Sequence, residues 1–291
     1  MSAQKDIKDD RPTLGIIAGG GTLPSKLLHS CDKKQIIPFV VGFDGQTDPA
    51  VVQGRYHLWT RLGAAAQVIQ TLKAHRIKDI VLIGSVRRPS FDELRPDWKT
   101  AQLLTRIGFR AFGDDGLLKA LRRELEREGF TIHGVQEFVD DLLASEGIYG
   151  NVSPSREDWL DIEKAAKLAK LMGNLDVGQG CVVQQGIVLG VEAIEGTDEL
   201  IRRCGQLRRK GGGGVLVKAC KPGQDKNLDL PTVGPATIEN ARAAKLSGIM
   251  LEAGNAILIN PQEATEAANR AGLFLAAVTL DKDGTVLSKH R

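Results

Sequence analysis

The chain has 291 residues and 42% of them are hydrophobic, which is enough for one large domain or for two ordinary domains with their own cores. Aromatic residues make up only 4%, which argues against a surface that stacks nucleic-acid bases. The formal net charge of +3 is too small to indicate a nucleic-acid partner, although it is compatible with an anionic substrate or an acidic membrane surface.

The first twelve residues are charged and lack the apolar core of a signal peptide. No uncharged run elsewhere reaches the roughly 18 to 20 apolar residues that a membrane-spanning helix needs. The four cysteines have neither CxxC spacing nor paired metal-ligand spacing, which is typical of reduced thiols. The sequence therefore predicts a cytoplasmic protein.

The first predicted strand, residues 14–18, leads through a glycine turn at residues 19–21 into a helix that begins near Pro24. Glycines let the backbone approach a phosphate, and a helix N-terminus presents unpaired N–H groups to it. Pro24 stands where the third glycine of G-x-G-x-x-G would be, so a merely tight turn is the alternative. The candidate substrate-binding residues here are Gly20, Gly21 and Thr22.

Strands and helices continue to alternate up to about residue 145, and this pattern predicts a Rossmann-like layer. The predicted strands are residues 36–42, 56–59, 79–84 and 131–136, with helices at residues 63–75 and 117–128. Asp44 follows the second strand, near the place of a ribose-binding acid in a dinucleotide fold. A nucleotide-cofactor oxidoreductase is therefore one alternative function.

Two polar segments follow the strand at residues 79–84. Arg87 and Arg88 lie at its carboxyl end, where guanidinium donors can bind a pyrophosphate, although a pair of surface arginines is the alternative. Residues 113–116 contain two aspartates before a helix, of which one is expected to cap the helix and the other to meet a sugar hydroxyl or a metal. The candidate residues in these segments are Ser85, Arg87 and Asp115.

Residues 145–155 are rich in Gly, Asn, Ser and Pro and have no periodicity, which is typical of a linker. Ser153 followed by Pro154 predicts the start of a helix that runs to about residue 172. We therefore predict a phosphate-binding or nucleotide-binding domain at residues 13–145, a linker with a bridging helix at residues 146–173, and a catalytic domain at residues 174–291.

The second domain is also predicted to be α/β. Gln185-Gly186 separates the two strands of a predicted hairpin, and Thr197 is expected to cap the helix that follows it. The predicted elements are a hairpin at residues 180–184 and 187–193, strands at residues 215–219, 249–251, 256–259 and 273–278, and helices at residues 197–209, 237–246 and 261–271.

The most polar segment of this domain, residues 221–231, follows the strand at residues 215–219, a position where α/β proteins place ligands. The pattern contains no zinc-type histidine series, so a metal here would be Mg²⁺ or Mn²⁺ held by oxygen atoms. An ordinary solvated loop is the alternative, and Glu192 and Glu252 are further acids at strand ends.

The candidates of this segment divide by chemistry. Asp225 is predicted as metal ligand or water-orienting base, with Asp229 as the second carboxylate. Lys218 and Lys221 are candidate phosphate-binding residues, and Gln224 is a candidate for orienting water or a sugar. Thr237 is predicted either to bind substrate or to cap the helix after Pro235.

Four stretches, in this order, carry a resemblance to a known family: LGIIAGGGTLP (residues 14–24), GSVRRP (84–89), GDDGLL (113–118), and KPGQDKNLDLP followed by TVGPAT (221–237). The chain resembles the UDP-2,3-diacylglucosamine pyrophosphatases of the LpxI type from about residue 14 to residue 278. In that family Asp225 falls at the acidic position of the last motif that the enzymes are understood to use.

The resemblance implies cleavage of UDP-2,3-diacylglucosamine to UMP and lipid X (2,3-diacylglucosamine 1-phosphate), a step of lipid A biosynthesis. It also implies dependence on Mg²⁺, a homodimer, two domains with the acylated nucleotide-sugar in a cleft between them, and peripheral contact with the inner membrane. A non-catalytic protein that binds nucleotide-sugars or lipids is the other alternative function. No nucleic-acid partner is expected.

Overall fold

The computed structural model describes residues 11–87, 94–107 and 114–288. The chain divides into two compact units, Met1–Asp140 and Asp141–Arg291. Each unit contains one main sheet with its own helices. The predicted fold class, two α/β domains of which the first is Rossmann-like, is confirmed.

The first unit is built on a parallel five-stranded sheet in the order β3-β2-β1-β4-β5. This is the order of a doubly wound nucleotide fold, in which the strand order reverses on either side of β1. Apolar residues fill the inner strands, because such strands are covered on both faces. The strands are β1 (Leu14–Ala18), β2 (Pro38–Phe43), β3 (Tyr56–Thr60), β4 (Asp79–Ile83) and β5 (Thr131–His133).

The described helices of the first unit lie between its strands in sequence. They are α1 (Leu23–Lys33), α2 (Ala65–Ala74), α3 (Trp98–Ile107) and α4 (Asp114–Arg127), with short 3₁₀ turns at Pro49–Val52 and Val135–Glu137. Helix α1 buries Leu27 and Leu28 on one face, which is the spacing expected of an amphipathic helix.

The second unit has a six-stranded mixed sheet in the order β6-β13-β11-β9-β7-β8. Its centre is parallel (β9, β11 and β13), and antiparallel strands flank it on both sides. The strands are β6 (Gly147–Ile148), β7 (Gly180–Gln184), β8 (Ile187–Val191), β9 (Val215–Lys218), β11 (Gly248–Glu252) and β13 (Phe274–Val278), beside a two-stranded ladder of β10 (Thr232–Val233) and β12 (Ile257–Leu258).

Apolar side chains cover both faces of this sheet. Helix α5 (Arg156–Asn174) packs Ile162 and its alanines against Val217 and neighbouring residues on one face. The other face packs Leu216 and its neighbours against helices α6 (Gly196–Leu207), α7 (Pro235–Ala243) and α8 (Pro261–Ala271). Among the described residues, the structure contains no helix that is both long and apolar enough to cross a membrane.

The structure differs from the sequence prediction at the start of α5. The predicted cap was Ser153, but Ser155 caps the helix, its Oγ accepting from Asp158 N at 3.1 Å while Asp158 Oδ2 accepts from Ser155 N at 2.9 Å. The helix was also predicted to bridge two domains, whereas it lies wholly in the second unit, where its apolar face covers the sheet.

The predicted cap of α6 is also wrong. The helix begins at Gly196 with Glu195 as its N-cap residue, and no side chain makes a capping hydrogen bond there. Thr197 is therefore the second residue of the helix, and its hydroxyl makes contacts elsewhere.

Candidate functional site

The polar residues of the second unit gather at one edge of its sheet. Strands β9 and β11 are parallel and end at Lys218 and Glu252, so the segment after β9, residues 219–231, starts at this edge. The carboxyl ends of parallel strands are where such sheets bind ligands. We call residues 219–231 the signature loop.

Hydrogen bonds to its own backbone and side chains hold the signature loop in shape. Gln224 Oε1 accepts from Lys221 N at 2.9 Å and from Cys220 Sγ at 3.3 Å, while its Nε2 donates to Asp229 Oδ2 at 3.0 Å. Burial raises the pKa of the Cys220 thiol to about 11, so the thiol keeps its proton and remains a donor near neutral pH. Gln224 therefore braces the loop with both ends of its amide.

A backbone hydrogen bond links the two candidate aspartates of the loop. Asp225 O accepts from Asp229 N at 3.2 Å, and Asp225 Oδ1 accepts from Asn227 N at 3.1 Å, which closes a short side-chain turn. Both aspartates are partly exposed. The loop thus presents two partly exposed aspartates whose backbones are joined within one turn.

The residues present fit a partial magnesium site rather than a closed metal cage. Within residues 11–87, 94–107 and 114–288, no three Asp, Glu, His or Cys side chains converge as a metal site. Mg²⁺ in phosphate-processing sites is usually held by one or two carboxylates and by the substrate phosphates. Asp225 and Asp229 are of the right chemistry for that arrangement.

Among the described residues of the second unit, three lysines are buried, and their partners distinguish them. Lys170 Nζ lies 2.7 and 2.8 Å from the two carboxylate oxygens of Glu252, and Lys221 Nζ lies 2.7 Å from Asp176 Oδ1. Lys218 makes no ion pair within the described part of the chain, and donates instead to Thr197 Oγ1 at 2.5 Å and Thr232 O at 3.4 Å.

These contacts rank the two lysines that the sequence proposes for phosphate binding. The charge of Lys221 is neutralised by Asp176, whereas the charge of Lys218 is not neutralised by any described carboxylate. A buried ammonium without a counter-ion attracts an anion strongly, because few other charges or waters screen it. Lys218 is therefore the stronger candidate.

Thr237 has the structural role that the sequence offers as an alternative. It lies in the first turn of α7, and its Oγ1 accepts from Gly234 N at 3.4 Å. This contact satisfies one of the unpaired N–H groups at the helix start.

In the first unit, the glycine turn packs directly against the end of β4. Gly19 N donates to Ile83 O at 2.7 Å, and Gly20 exchanges two hydrogen bonds with Ser85 at 2.7 and 3.0 Å. A Cβ on Gly19 would lie 2.4 Å from Ser85 O, so this approach requires glycine. Two amides of the turn are thus used within the fold, and a ligand would meet the exposed Gly21 and Thr22.

Gln46, which the sequence analysis did not single out, fixes the segment after β4. Its Oε1 accepts from Arg87 N at 2.8 Å, and its Nε2 donates to Arg87 O at 3.1 Å. The exposed Arg87 is thereby held beside the glycine turn, since β1 and β4 are adjacent strands. No local motif marks Gln46, because its contact spans forty-one residues of sequence.

The remaining candidates of the first unit are not brought to this edge by any described contact. Arg88 and Gly113 lie outside the described residues, and so does the side chain of Asp115, which is placed only as part of the first turn of α4. Asp44, considered as a ribose-binding acid, accepts a hydrogen bond from Trp59 Nε1.

Family models match most of the chain. The model of the LpxI N-terminal domain matches residues 13–142, and the model of the LpxI C-terminal domain matches residues 145–276. A curated protein of Caulobacter vibrioides, named UDP-2,3-diacylglucosamine pyrophosphatase LpxI, is 38% identical over 273 residues, which cover 91% of this chain and 97% of that protein.

Two solved structures are much less similar to this chain. A biotin carboxylase domain of a thermophilic 2-oxoglutarate carboxylase is 13% identical, with a TM-score of 0.21 over 65% of this chain and 39% of that chain. The corresponding domain from Hydrogenobacter thermophilus is 14% identical, with a TM-score of 0.20 over 66% of this chain and 39% of that chain. TM-scores of this size do not indicate a common overall fold.

Proposed function

The chain belongs to the LpxI family, and from this premise we propose that it hydrolyses the pyrophosphate of UDP-2,3-diacylglucosamine to UMP and 2,3-diacylglucosamine 1-phosphate (lipid X). Water supplies an oxygen to one phosphorus, the bridging P–O bond breaks, and the bridging oxygen leaves on the other phosphate. The observation that carries the proposal is the buried, unneutralised Lys218 at the start of the signature loop.

Lys218 and three residues of the signature loop have proposed roles that follow from their positions. Lys218 binds a pyrophosphate oxygen and stabilises the negative charge that grows there during cleavage. Asp225, partly exposed, orients the attacking water and accepts its proton, while Gln224 holds Asp229 and the loop backbone in place. Asp225 and Asp229 would hold Mg²⁺ or Mn²⁺, and such an ion neutralises phosphate charge when it is bound.

In the first unit, Gly21 and Thr22 at the start of α1 are proposed to contact the anionic nucleotide part of the substrate, with Arg87 beside them. A homodimer and peripheral contact with the inner membrane stay predictions from the family resemblance. Both would be measured directly, by sedimentation and by flotation with vesicles.

The test is release of UMP from UDP-2,3-diacylglucosamine by the purified chain, with Mg²⁺ and with a chelator. Asp225→Asn is the informative variant, because an amide oxygen still accepts from Asn227 N and preserves the turn. Asp283→Asn, an exposed aspartate of another turn in the same unit, is the matched control. We expect activity that needs the metal, falls on the order of 10²-fold in Asp225→Asn and persists in the control.

Substrate that binds without releasing UMP would instead support the non-catalytic alternative. Activity that survives in Asp225→Asn would move the water-orienting role to Asp229 or to the first unit. Activity that is unchanged by the chelator would contradict the proposed metal dependence but not the proposed hydrolysis.

A further inference from the structure

Glu192 is a buried carboxylate whose hydrogen bonds are incomplete. It follows β8 directly and is 7% exposed. Its Oε1 accepts from Thr197 Oγ1 at 2.7 Å, but its Oε2 is buried and has no hydrogen-bond partner among the described residues. Such an atom is costly to bury, so the arrangement needs a reason beyond packing.

The backbone places Glu192 and Lys218 on either side of a glycine. Gly180 pairs with Lys218 across β7 and β9, and its carbonyl accepts from Glu192 N at 2.8 Å on the other side. Residues paired in this way direct their side chains to the same face of a sheet. A Cβ on Gly180 would lie 2.6 Å from Glu192 Oε2, so the missing side chain makes room for the carboxylate.

Although Glu192 and Lys218 lie in one row across the sheet, on either side of Gly180, they form no ion pair with each other. Elsewhere the same unit joins buried lysines directly to carboxylates, as in Lys170–Glu252 and Lys221–Asp176. Here one hydroxyl stands between the two charges: Lys218 Nζ donates to Thr197 Oγ1, and Thr197 Oγ1 donates to Glu192 Oε1.

The order of donors along this chain of hydrogen bonds is fixed by chemistry. A threonine hydroxyl has one proton and two acceptor lone pairs, and an ammonium can only donate. Because Glu192 takes the hydroxyl proton, the lone pairs of Thr197 are directed at Lys218. The ammonium is thus oriented, yet it keeps its charge for an external anion.

We propose that Glu192 and Thr197 are positioning residues that hold the Lys218 ammonium for the substrate pyrophosphate. This inference rests on the proposed function. A direct Glu192–Lys218 pair would compete with the phosphate for the ammonium, whereas the intervening hydroxyl orients Lys218 without neutralising it. Thr197 is suited to the role because it lies in the first turn of α6, is only partly buried, and has no capping duty.

The experiment is a double-mutant cycle on UMP release. Thr197→Val removes the hydroxyl at constant shape, and Thr197→Ser retains it. Each is made in the natural chain and in a Lys218→Met background, and kcat and KM are measured for every variant. We expect Thr197→Val to lower kcat/KM about 10- to 100-fold, as loss of an orienting partner does elsewhere, and Thr197→Ser to restore most of it.

In the Lys218→Met background, Thr197→Val should have no further effect, because the group that it positions is absent. A merely structural role would lower activity by the same factor in both backgrounds. Additive losses, or a fully active Thr197→Val, overturn the inference. Glu192→Gln should behave like Thr197→Val, since an amide can donate to the hydroxyl and turn its proton towards Lys218.

A binding measurement separates this inference from the proposed function. If the natural chain releases no UMP, the proposed function fails, and calorimetric binding of UDP to the same variants decides the inference. The inference stands if Thr197→Val and Lys218→Met each weaken UDP binding and the double variant binds no more weakly than Lys218→Met alone. Equal affinity in all variants, additive losses, or no binding by the natural chain overturn it.

Discussion

Lys218 and Lys221 are three residues apart and have the same chemistry, so the sequence alone gives them the same role. Their hydrogen-bond partners distinguish them: Asp176, forty-five residues away in sequence, pairs with Lys221, whereas within the described part of the chain Lys218 donates only to a hydroxyl and a carbonyl. Contacts over such distances leave no local pattern. The sequence therefore predicts lysines at this site, but it does not predict which of them is paired with a carboxylate.

Replacing the two lysines should have different effects on activity. We expect Lys218→Met to lower kcat/KM on the order of 10²-fold. The same change should also lower the free energy of unfolding, because the buried Glu192 carboxylate, joined to Lys218 through the Thr197 hydroxyl, loses the positive charge near it.

Lys221→Met is the matched control for that experiment. It should retain most of the activity and lower the free energy of unfolding by up to about 1 kcal/mol, because Asp176, whose side chain is 32% exposed, loses its partner. Urea unfolding and steady-state kinetics on both variants measure these effects. Equal loss of activity in the two variants would contradict the distinction between them.

At the scale of elements, patterns carried by adjacent residues predicted the structure well. The hairpin of β7 and β8 turns at Gln185-Gly186, and both residues have positive φ (51° and 73°), as a two-residue hairpin turn requires. Helix starts were predicted less well. At α5, Ser153 and Ser155 are both close to the first turn, and the reciprocal hydrogen bonds between Ser155 and Asp158 select Ser155 as the cap. At α6 no side chain caps the helix, because the Thr197 hydroxyl contacts Glu192 and Lys218 instead.

The start of α5 allows a direct test of that selection. Ser155→Ala should lower the free energy of unfolding by about 1 kcal/mol, because it removes the hydroxyl that accepts from Asp158 N. Ser153→Ala, two residues earlier and exposed, should change it by much less. Urea unfolding compares the two variants, which carry the same Ser→Ala change. A larger effect at Ser153 would mean that Ser153, as the sequence predicts, caps the helix.

At the scale of the whole molecule, one histidine gives stability a dependence on pH. His133 Nε2 lies 2.9 Å from Asp79 Oδ1, and its Nδ1 lies 2.9 Å from Glu137 Oε2. Hydrogen bonds first to Asp79 and then to Glu137 raise the pKa of His133, and the bond with His133 lowers the pKa of Glu137. The protonated ring therefore links the edge strand β5 to β4 and to the following turn.

The sign of this dependence follows from the raised pKa of His133. Its stabilising contribution is fully present below the unfolded pKa of about 6.5 and is lost as the pH rises through the higher folded pKa. The contribution of Glu137 is present above its ordinary pKa of 4.5 and is lost as the pH falls through the lower folded pKa. The combined stabilising contribution of His133 and Glu137 is therefore largest between about pH 5 and 6.5.

His133→Gln should be less stable than the natural chain near pH 6 by no more than about 1 kcal/mol, because the group is partly solvated. The difference should shrink by pH 9. Urea unfolding at the two pH values measures it. A difference that is constant or grows with pH would show that His133 acts through packing and not through its charge.

The strands and helices that form the core of the second unit all come from one continuous stretch of the chain. All six strands of its sheet come from residues 147–278, and helices from the same stretch supply both apolar layers. A domain of about 150 residues buries roughly two thirds of the surface that its unfolded chain exposes. We therefore expect residues 141–291, expressed alone, to fold with a single cooperative urea transition.

The buried Lys170–Glu252 pair tests whether that fragment reaches the same structure. Both partners lie inside the fragment, and Lys170 also donates to Cys220 O at 2.9 Å at the head of the signature loop. Glu252→Leu leaves the ammonium buried without a counter-ion and should lower the free energy of unfolding by about 3 kcal/mol or more. If Glu252→Leu lowers the free energy of unfolding equally in the fragment and in the full chain, the buried Lys170–Glu252 pair forms in both. A much smaller loss in the fragment means that residues 1–140 are needed to order the edge at which the signature loop begins.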